Sequence, residues 1–248
     1  MTGPRVTFLS FAAIRIAVSD LGSAVSAWRE QLGWSPDAVS ADGASFALDG
    51  AVVDMVAAAA GQPPGVAAVA VTVDDTEAAA RRIRSAGVRA DLAADGTVVL
   101  PGRDLNGVSV ELRSSTADRP RNSPGPFTRI RHVVVAVEDD DAARRNWARA
   151  FGPWPAHSVG GSEHAHHVPA GAGWFGLTAA GTDASALRRF LDRRGEGVYA
   201  VGLIASDWSR TADSLRRNGA RLVASADSNQ TFIHPATTHG VLIEVVAE

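Results

Sequence analysis

The chain contains neither cysteine nor lysine among its 248 residues. Without cysteine there is no disulfide, no thiolate nucleophile and no cysteine-ligated metal centre. Without lysine there is no side-chain amine for Schiff-base chemistry, because all 24 cationic side chains are arginine. Arginine favours bidentate binding of carboxylate or phosphate groups. Histidine, carboxylate and arginine chemistry therefore remain as candidates.

Long apolar runs and basic clusters are also missing. No stretch is long enough to span a bilayer, and the N-terminus lacks the pattern of a cleaved signal, so we expect a cytoplasmic protein without a membrane partner. The formal net charge is −3 and no basic patch is interleaved with aromatics, so nucleic acid is not an expected partner. A hydrophobic content of 46% suits one large or two medium domains. We expect a small-molecule substrate or ligand, and a monomer or homodimer.

One motif recurs four times along the chain. An apolar run ends at an Asp, and a helix-like stretch then continues to a Gly. The four pairs are Asp20 and Gly33, Asp75 and Gly87, Asp139 and Gly152, and Asp207 and Gly219. Asp suits a helix N-terminus because its carboxylate accepts the first amide protons, and Gly tolerates the left-handed end of a helix. The intervals of 13, 12, 13 and 12 residues predict four copies of one module.

Each module reads as a strand, an amphipathic helix and about three further strands. The opening strands, dense in Val, Ile and Ala, are predicted at residues 11–18, 66–73, 129–137 and 198–205. Short alternating stretches with turn residues follow each Gly and predict hairpins. The expected fold class is α+β, built from four βαβββ modules.

A Pro-, Ser- and Gly-rich stretch at residues 114–126 separates the second module from the third. Such a composition is typical of a linker. We predict an N-terminal domain at residues 1–115, a linker at 116–127 and a C-terminal domain at 128–248. The two domains end in similar strands, Gly-Val-Ser-Val-Glu at residues 107–111 and Gly-Val-Leu-Ile-Glu at residues 240–244.

This organisation resembles the vicinal oxygen chelate superfamily of glyoxalases, bleomycin-resistance proteins and extradiol dioxygenases. The second half is most similar to the methylmalonyl-CoA epimerase family, on the sequences at residues 131–137, 194–198, 232–235 and 240–244. The resemblance implies that paired modules curl into cupped mixed sheets. Each cup would hold a divalent metal whose ligands come from the first and last strands.

All seven histidines lie in the second half of the chain. Imidazole is the commonest protein metal ligand and a natural acid or base near neutral pH. The second half is therefore the expected working domain. A chance accumulation on surface strands is the alternative for any single histidine.

The resemblance places the first metal ligand at His132 and the last at Glu244. Its other two ligand positions fall on Gly176 and Ala200, which have no ligating side chain. Substitute ligands could come from His164, His166 or His234. A divalent ion such as Zn, Fe, Co, Mn or Ni is the only cofactor expected. Without metal, the same side chains would form a polar pocket.

Glu163 lies in a segment similar to the epimerase stretch that carries a catalytic glutamate. A carboxylate in a partly apolar cup can have a raised pKa, which suits it to remove a proton next to a carbonyl. Glu163 and Glu244 are the predicted acid or base, and His132 the predicted ligand or oxyanion donor. Trp174 shares the strand face of Gly176 and is predicted to form the pocket floor. The alternatives are an exposed loop glutamate and a core tryptophan.

In the first half, the four ligand positions map to Ala13, Asp54, Ala68 and Glu111. Two carboxylates without imidazole make a poor transition-metal site. Arg15 lies on the strand face of Ala13 and is predicted to pair with Glu111 or Asp54. This domain would then be structural or bind an anionic ligand.

Three functions follow in order of preference. The first is an isomerase, epimerase or lyase that abstracts a proton next to a carbonyl in the C-terminal cup. The second is a metal-free small-molecule binding protein of the antibiotic-resistance type. The third is an extradiol-type dioxygenase, which is disfavoured because Ala200 stands where its second histidine should be.

Overall fold

The computed structural model describes residues 6–114, 125–153, 165–181, 185–223 and 230–248. These residues form two mixed β-sheets and five α-helices, which confirms the predicted α+β fold. No helix within them is long and apolar enough to cross a membrane.

The first sheet has eight strands in the order β2-β3-β4-β1-β5-β8-β7-β6. Its long opening strands β1 and β5 are parallel to the closing strands of their own modules, β4 and β8. The strands are β1 (Phe8–Val18), β2 (Ala38–Val39), β3 (Gly43–Leu48), β4 (Ala51–Ala57), β5 (Gly65–Val73), β6 (Asp91–Leu92), β7 (Val98–Leu100) and β8 (Val110–Ser114).

The second sheet has seven strands in the order β10-β11-β9-β12-β15-β14-β13 and repeats this pattern. Here β9 is parallel to β11, and β12 is parallel to β15. The strands are β9 (Phe127–Val137), β10 (Ala165–Ala170), β11 (Gly173–Ala179), β12 (Gly197–Ala205), β13 (Leu222–Val223), β14 (Gln230–Ile233) and β15 (Leu242–Val246).

Four of the five helices follow the opening strands, as the repeat predicts. The first of them continues as a π-helical turn, Trp28–Leu32. The helices are α1 (Leu21–Ala27), α2 (Thr76–Ser85), α3 (Asp140–Phe151), α4 (Ala186–Arg194) and α5 (Trp208–Arg217).

The predicted helix ends are confirmed in all four modules. Each of the four aspartates accepts a hydrogen bond from the backbone N–H three residues later, at 2.8 to 3.0 Å. Each terminal glycine has a positive φ, between 67° and 92°. All four helices therefore begin with the same capping interaction, whereas their C-terminal ends differ, because Gly33 has the left-handed helical conformation and Gly152 does not.

Strand alternation separates a helix-covered face of each sheet from an open face. On β4, Ala51, Val53 and Met55 are buried, whereas Val52, Asp54 and Val56 are only half-buried. Helix α1 packs on β3 and β4, α2 on β7 and β8, and α3 on β10 and β11. The open face is thus where polar side chains can meet a ligand.

The chain divides into two compact units that each draw on two modules. One unit comprises Met1–Ala12, Ala68–Ala117 and His132–Tyr199, and the other comprises Ala13–Ala67, Asp118–Arg131 and Ala200–Glu248. Residues 115–124 lie outside the described part, so the predicted linker and sequential domains stay a prediction.

Helix α4 is not anticipated by the fourfold repeat. Ser185 caps its N-terminus by accepting from the Arg188 N–H at 3.1 Å. The Arg188 guanidinium holds Glu138 through two hydrogen bonds of 2.7 and 2.8 Å, which lowers the pKa of that carboxyl. Leu191 is its only fully buried residue. Leu187, Phe190 and Leu191 follow helical spacing, but the Asp that begins the four repeated helices is replaced here by Ser185.

Candidate small-molecule site in the third module

The site is built by the register of three neighbouring strands. In the parallel pair β9 and β11, His132 lies opposite Trp174. In the antiparallel pair β10 and β11, His167 lies opposite Gly176. Because paired residues share a face and alternate residues return to it, His132, Trp174 and His167 all lie on the open face.

Both imidazole rings stack on the Trp174 indole. The His132 ring centroid is 4.3 Å from that of Trp174 with an interplanar angle of 18°, and the His167 centroid is 3.8 Å away at 11°. His132 is buried, whereas Trp174 and His167 are half-buried. The predicted pocket floor at Trp174 is thus a stacked aromatic surface with part of it open to solvent.

Gly176 allows the indole to lie close to the strand. A Cβ atom built on Gly176 would come within 2.7 Å of Cζ3 of Trp174, closer than real contacts allow. The indole therefore covers the place where the family resemblance puts a ligating side chain. The position of the Trp174 indole therefore requires that residue 176 be glycine.

Glu244 lies on the open face of the fourth module. Its strand neighbours are Gly202 on β12 and Phe232 on β14, and it is half-buried. His132 and Glu244 belong to different compact units. Their predicted cooperation at one site stays a prediction.

His234 follows β14 and is held by the backbone. Its Nδ1 accepts a hydrogen bond from the Ala236 N–H at 3.0 Å. Burial, followed by the nearby positive charge of Arg221, lowers the pKa of His234. Only Nε2 is therefore left for a ligand in this arrangement.

The first-half carboxylates have arginine or serine neighbours. Glu111 is buried and accepts from Arg113 at 2.6 Å. Asp54 accepts from the Ser45 hydroxyl at 2.7 Å and lies opposite Arg15 in the strand register. The predicted pairing of Arg15 with Glu111 or Asp54 stays a prediction.

Three predicted residues cannot be placed. Glu163 and His164 lie outside the described residues, as does the side chain of His166. The backbone register sets His166 opposite Leu177. Within the described ranges, no group of three or more histidines and carboxylates is arranged to hold a metal ion.

His167 is a site residue that sequence reasoning does not select. A signal exists, because alternation along β10 places it on the face opposite to His166, and Trp174 is itself predicted to line the pocket. The choice between the two faces requires the register between β10 and β11, which is set by the two-residue turn at Gly171 and Ala172.

Comparison with known proteins agrees with this architecture. The family described as Glyoxalase/Bleomycin resistance protein/Dioxygenase superfamily matches residues 10–104. No curated protein matches the sequence.

Solved structures share the fold over nearly the whole chain. A mutant of 4-hydroxymandelate synthase from Streptomyces coelicolor is 17% identical, with a TM-score of 0.75 over 97% of this chain and 93% of that one. The Mn(II)-bound glyoxalase from Novosphingobium aromaticivorans is 14% identical, with a TM-score of 0.72 over 98% of this chain and 83% of that one.

In two further structural matches, one of the two compared chains is covered only in part. Methylmalonyl-CoA epimerase from Mycobacterium tuberculosis is 29% identical, with a TM-score of 0.44 over 51% of this chain and 91% of that one. The chain also spans half the length of a fusion protein of a xylose isomerase-like TIM barrel and 4-hydroxyphenylpyruvate dioxygenase, at 14% identity and a TM-score of 0.73.

Proposed function

Because residues 10–104 match the glyoxalase/bleomycin resistance protein/dioxygenase superfamily, we propose that the chain uses its repeated modules to bind a small planar carbonyl compound. The compound would lie on the open face of the third module, against Trp174. The chemistry would be transfer of a proton next to the carbonyl, as in an isomerase, epimerase or lyase.

The stack of His132, Trp174 and His167 is the observation that supports this proposal. The indole is held by one imidazole from each neighbouring strand, and the part of it that is open to solvent offers an apolar edge for a ligand. The flanking imidazoles add hydrogen-bond donors close to that surface. An imidazole N–H aimed at the carbonyl oxygen would stabilise negative charge as it develops there.

The proton transfer is assigned to carboxylates. Glu163 or Glu244 would accept the proton from the carbon next to the carbonyl, and the electron pair of that C–H bond would delocalise onto the carbonyl oxygen. His132 would donate a hydrogen bond to this oxygen. Return of the proton to another face or atom gives epimerisation or isomerisation, and departure of a neighbouring group gives elimination.

A resident metal does not fit the described residues well. Of the four ligand positions implied by the family, His132 and Glu244 can ligate, but Gly176 and Ala200 cannot, and the Trp174 indole covers the Gly176 position. The proposed mechanism therefore uses only side chains of the chain itself. Metal binding by His132 and Glu244, with His164, His166 or His234, stays a separate proposal.

Binding without chemistry is the second candidate. It is supported by the position of the Trp174 indole over Gly176. An aromatic ring there takes the place of a metal-ligating side chain. A protein of this kind would sequester a planar compound and release it unchanged. This is the metal-free function anticipated for antibiotic-binding members of the superfamily.

Hydrogen exchange separates the two candidates. The wild-type protein would be incubated in D₂O with methylmalonyl-CoA and with a set of 2-oxo acids, and deuterium next to each carbonyl would be measured by mass spectrometry. Enzyme-dependent exchange that is lost in Glu163→Gln or Glu244→Gln is the result expected for proton transfer. Exchange that is unchanged in both variants would contradict the assignment of the base.

Ligand binding itself is tested at Gly176. Gly176→Ala should displace the indole and weaken binding of planar compounds, seen as loss of Trp fluorescence quenching on titration. Gly22→Ala is the matched control, because its added Cβ would make only an ordinary contact of 3.6 Å with Asp20 Oδ1. Elemental analysis of the wild type and of His132→Ala, purified without added metal, tests the metal proposal independently.

A further inference from the structure

A cavity lies at the first module and does not include the residues of the third-module site. Its volume is about 320 Å³, and it is lined by residues of β1, β2, β3 and β4 and of the turn between β2 and β3. Cavities of this size are at the lower end of the range for small-molecule sites. All of its lining residues belong to one compact unit, that of Ala13–Ala67.

A polar row crosses the cavity. Arg15, Asp54 and Ser45 lie side by side on β1, β4 and β3, because Arg15 is opposite Asp54 and Asp54 is opposite Ser45. All three are half-buried and line the cavity. The Ser45 hydroxyl donates to Asp54 Oδ1 at 2.7 Å and so fixes the carboxylate in place.

The charges of this row select a ligand that carries both signs. A carboxylate accepts several hydrogen bonds, so Asp54 can hold Ser45 and still accept from an ammonium group. A guanidinium has five N–H donors, so Arg15 can hold a neighbouring side chain and still donate to a ligand carboxylate. With one charge of each sign, a zwitterion is matched better than a simple anion or cation.

The rest of the wall is mostly small or apolar. Ala38 is opposite Ser45, and Val56 lies two residues from Asp54, so both share the face of the polar row. Val39 is opposite Ala44, and these two residues line the cavity from the other face. None of the corresponding positions in the other three modules repeats the Arg–Asp pair: the register places Ala70 beside Glu111, Val134 beside Gly176 and Gly202 beside Glu244. The pair is thus a feature of this module and not of the repeat.

We infer that the open face of the first module binds the head group of a free α-amino acid with a small apolar side chain, its carboxylate on Arg15 and its ammonium on Asp54. The side chain would pack against Ala38 and Val56. Ser45 acts as a positioning residue for Asp54. This site does not depend on the proposed function of the third module.

The test is a titration of ¹⁵N-labelled protein with L-valine and L-leucine at millimolar concentrations, following the amide signals of Ser45 and Val56. Both signals should shift in a saturable manner. Asp54→Asn keeps an acceptor for Ser45 but loses the negative charge, and should weaken binding by about tenfold or more. Asp42→Asn, an exposed change on the same hairpin and outside the cavity lining, is the control and should bind as the wild type does.

Ligands that lack one charge complete the test. N-acetyl-L-leucine has no ammonium group and isopentylamine has no carboxylate, so each should bind at least about tenfold more weakly than L-leucine. Equal binding of either compound would overturn the zwitterion assignment. Absence of saturable shifts with every neutral apolar amino acid would overturn the site itself, whatever the outcome of the hydrogen-exchange experiment.

Discussion

Trp147 and Asn106 are joined by a buried hydrogen bond in which the indole Nε1 donates to the amide Oδ1 at 3.1 Å. The same amide donates through Nδ2 to Glu196 Oε2 at 2.9 Å, and Glu196 Oε1 accepts from the Glu138 N–H at 2.8 Å. Asn106 thus connects the second module to the third through a chain of hydrogen bonds.

Loss of the Asn106 side chain should destabilise the fold. Asn106→Ala leaves the buried Trp147 N–H without its acceptor and should lower the free energy of unfolding by about 1–3 kcal/mol, measured by urea denaturation. His239→Ala is the control, because His239 has a similar left-handed backbone, with φ of 57° against 51° for Asn106. Equal losses in the two variants would show that the backbone conformation, and not the hydrogen bonds, sets the effect.

The internal repeat predicts a stabilising substitution. Trp28 lies eight residues after Asp20, as Trp147 does after Asp139, and His239 precedes Gly240 as Asn106 precedes Gly107. Among the described residues, the buried Trp28 Nε1 has no hydrogen-bond partner. His239→Asn should supply one and also suit the left-handed backbone, and so raise the free energy of unfolding by about 1 kcal/mol.

The contribution of the indole N–H can be isolated. In a Trp28→Phe background, His239→Asn should retain only the benefit of the backbone conformation. A double-mutant cycle measured by thermal or urea unfolding gives the coupling between the two residues. A coupling free energy of zero would mean that the amide introduced by His239→Asn does not reach Trp28.

Gly107 should tolerate alanine much less well than Gly87. Both have positive φ, +80° and +77°, so each alanine is strained by about 1–2 kcal/mol. At Gly107 the added Cβ would also lie 2.2 Å from the Glu196 carbonyl oxygen, whereas at Gly87 nothing lies within 4 Å. Gly107→Ala should therefore cost about 1–3 kcal/mol more than Gly87→Ala in urea unfolding. Similar losses of stability in the two variants would indicate that the backbone at residue 196 moves to relieve the clash.

His234 should make the fold less stable in acid. Its pKa is lowered in the folded state by burial and by Arg221, so the unfolded chain binds the proton more readily. The stability that this residue contributes is complete above about pH 6.5 and is lost as the pH falls from there through the folded-state pKa. His234→Asn keeps an acceptor for the Ala236 N–H and removes the titration.

The measurement is the pH dependence of unfolding. Between about pH 7 and pH 5, the free energy of unfolding of His234→Asn should fall less steeply than that of the wild type. A variant curve that stays parallel to the wild-type curve would mean that His234 titrates alike in both states.

The sequence predicts most of the fold because the fold depends on local signals that it repeats. Each aspartate predicted to be a helix cap is one, and each predicted opening strand agrees with the structure to within three residues at either end. Helix α4 escapes prediction because it occurs outside the recurring Asp-to-Gly motif, although Leu187, Phe190 and Leu191 have helical spacing. An internal repeat predicts only the elements that recur in every module, and an element inserted into one module is not among them.

The site is harder to predict because it depends on register. The sequence predicts that Trp174 and Gly176 share one face of their strand, because this requires only alternation along a single strand. The stacking of His167 on Trp174 depends on how β10 pairs with β11, and a shift by one residue would have placed His166 there instead. That pairing is set by the two-residue turn at Gly171 and Ala172, and strand alternation alone does not decide where the turn falls in this Gly- and Ala-rich stretch.

The edge strands of the two sheets disfavour pairing with strands of other molecules. In the part of the chain that the structure describes, three of the four outermost strands, β2, β6 and β13, have only two residues each. The fourth, β10, contains Pro169, which has no N–H to offer an incoming strand. Short or proline-interrupted borders give a foreign strand little to pair with, so concentrated solutions of the native protein should resist amyloid-like association.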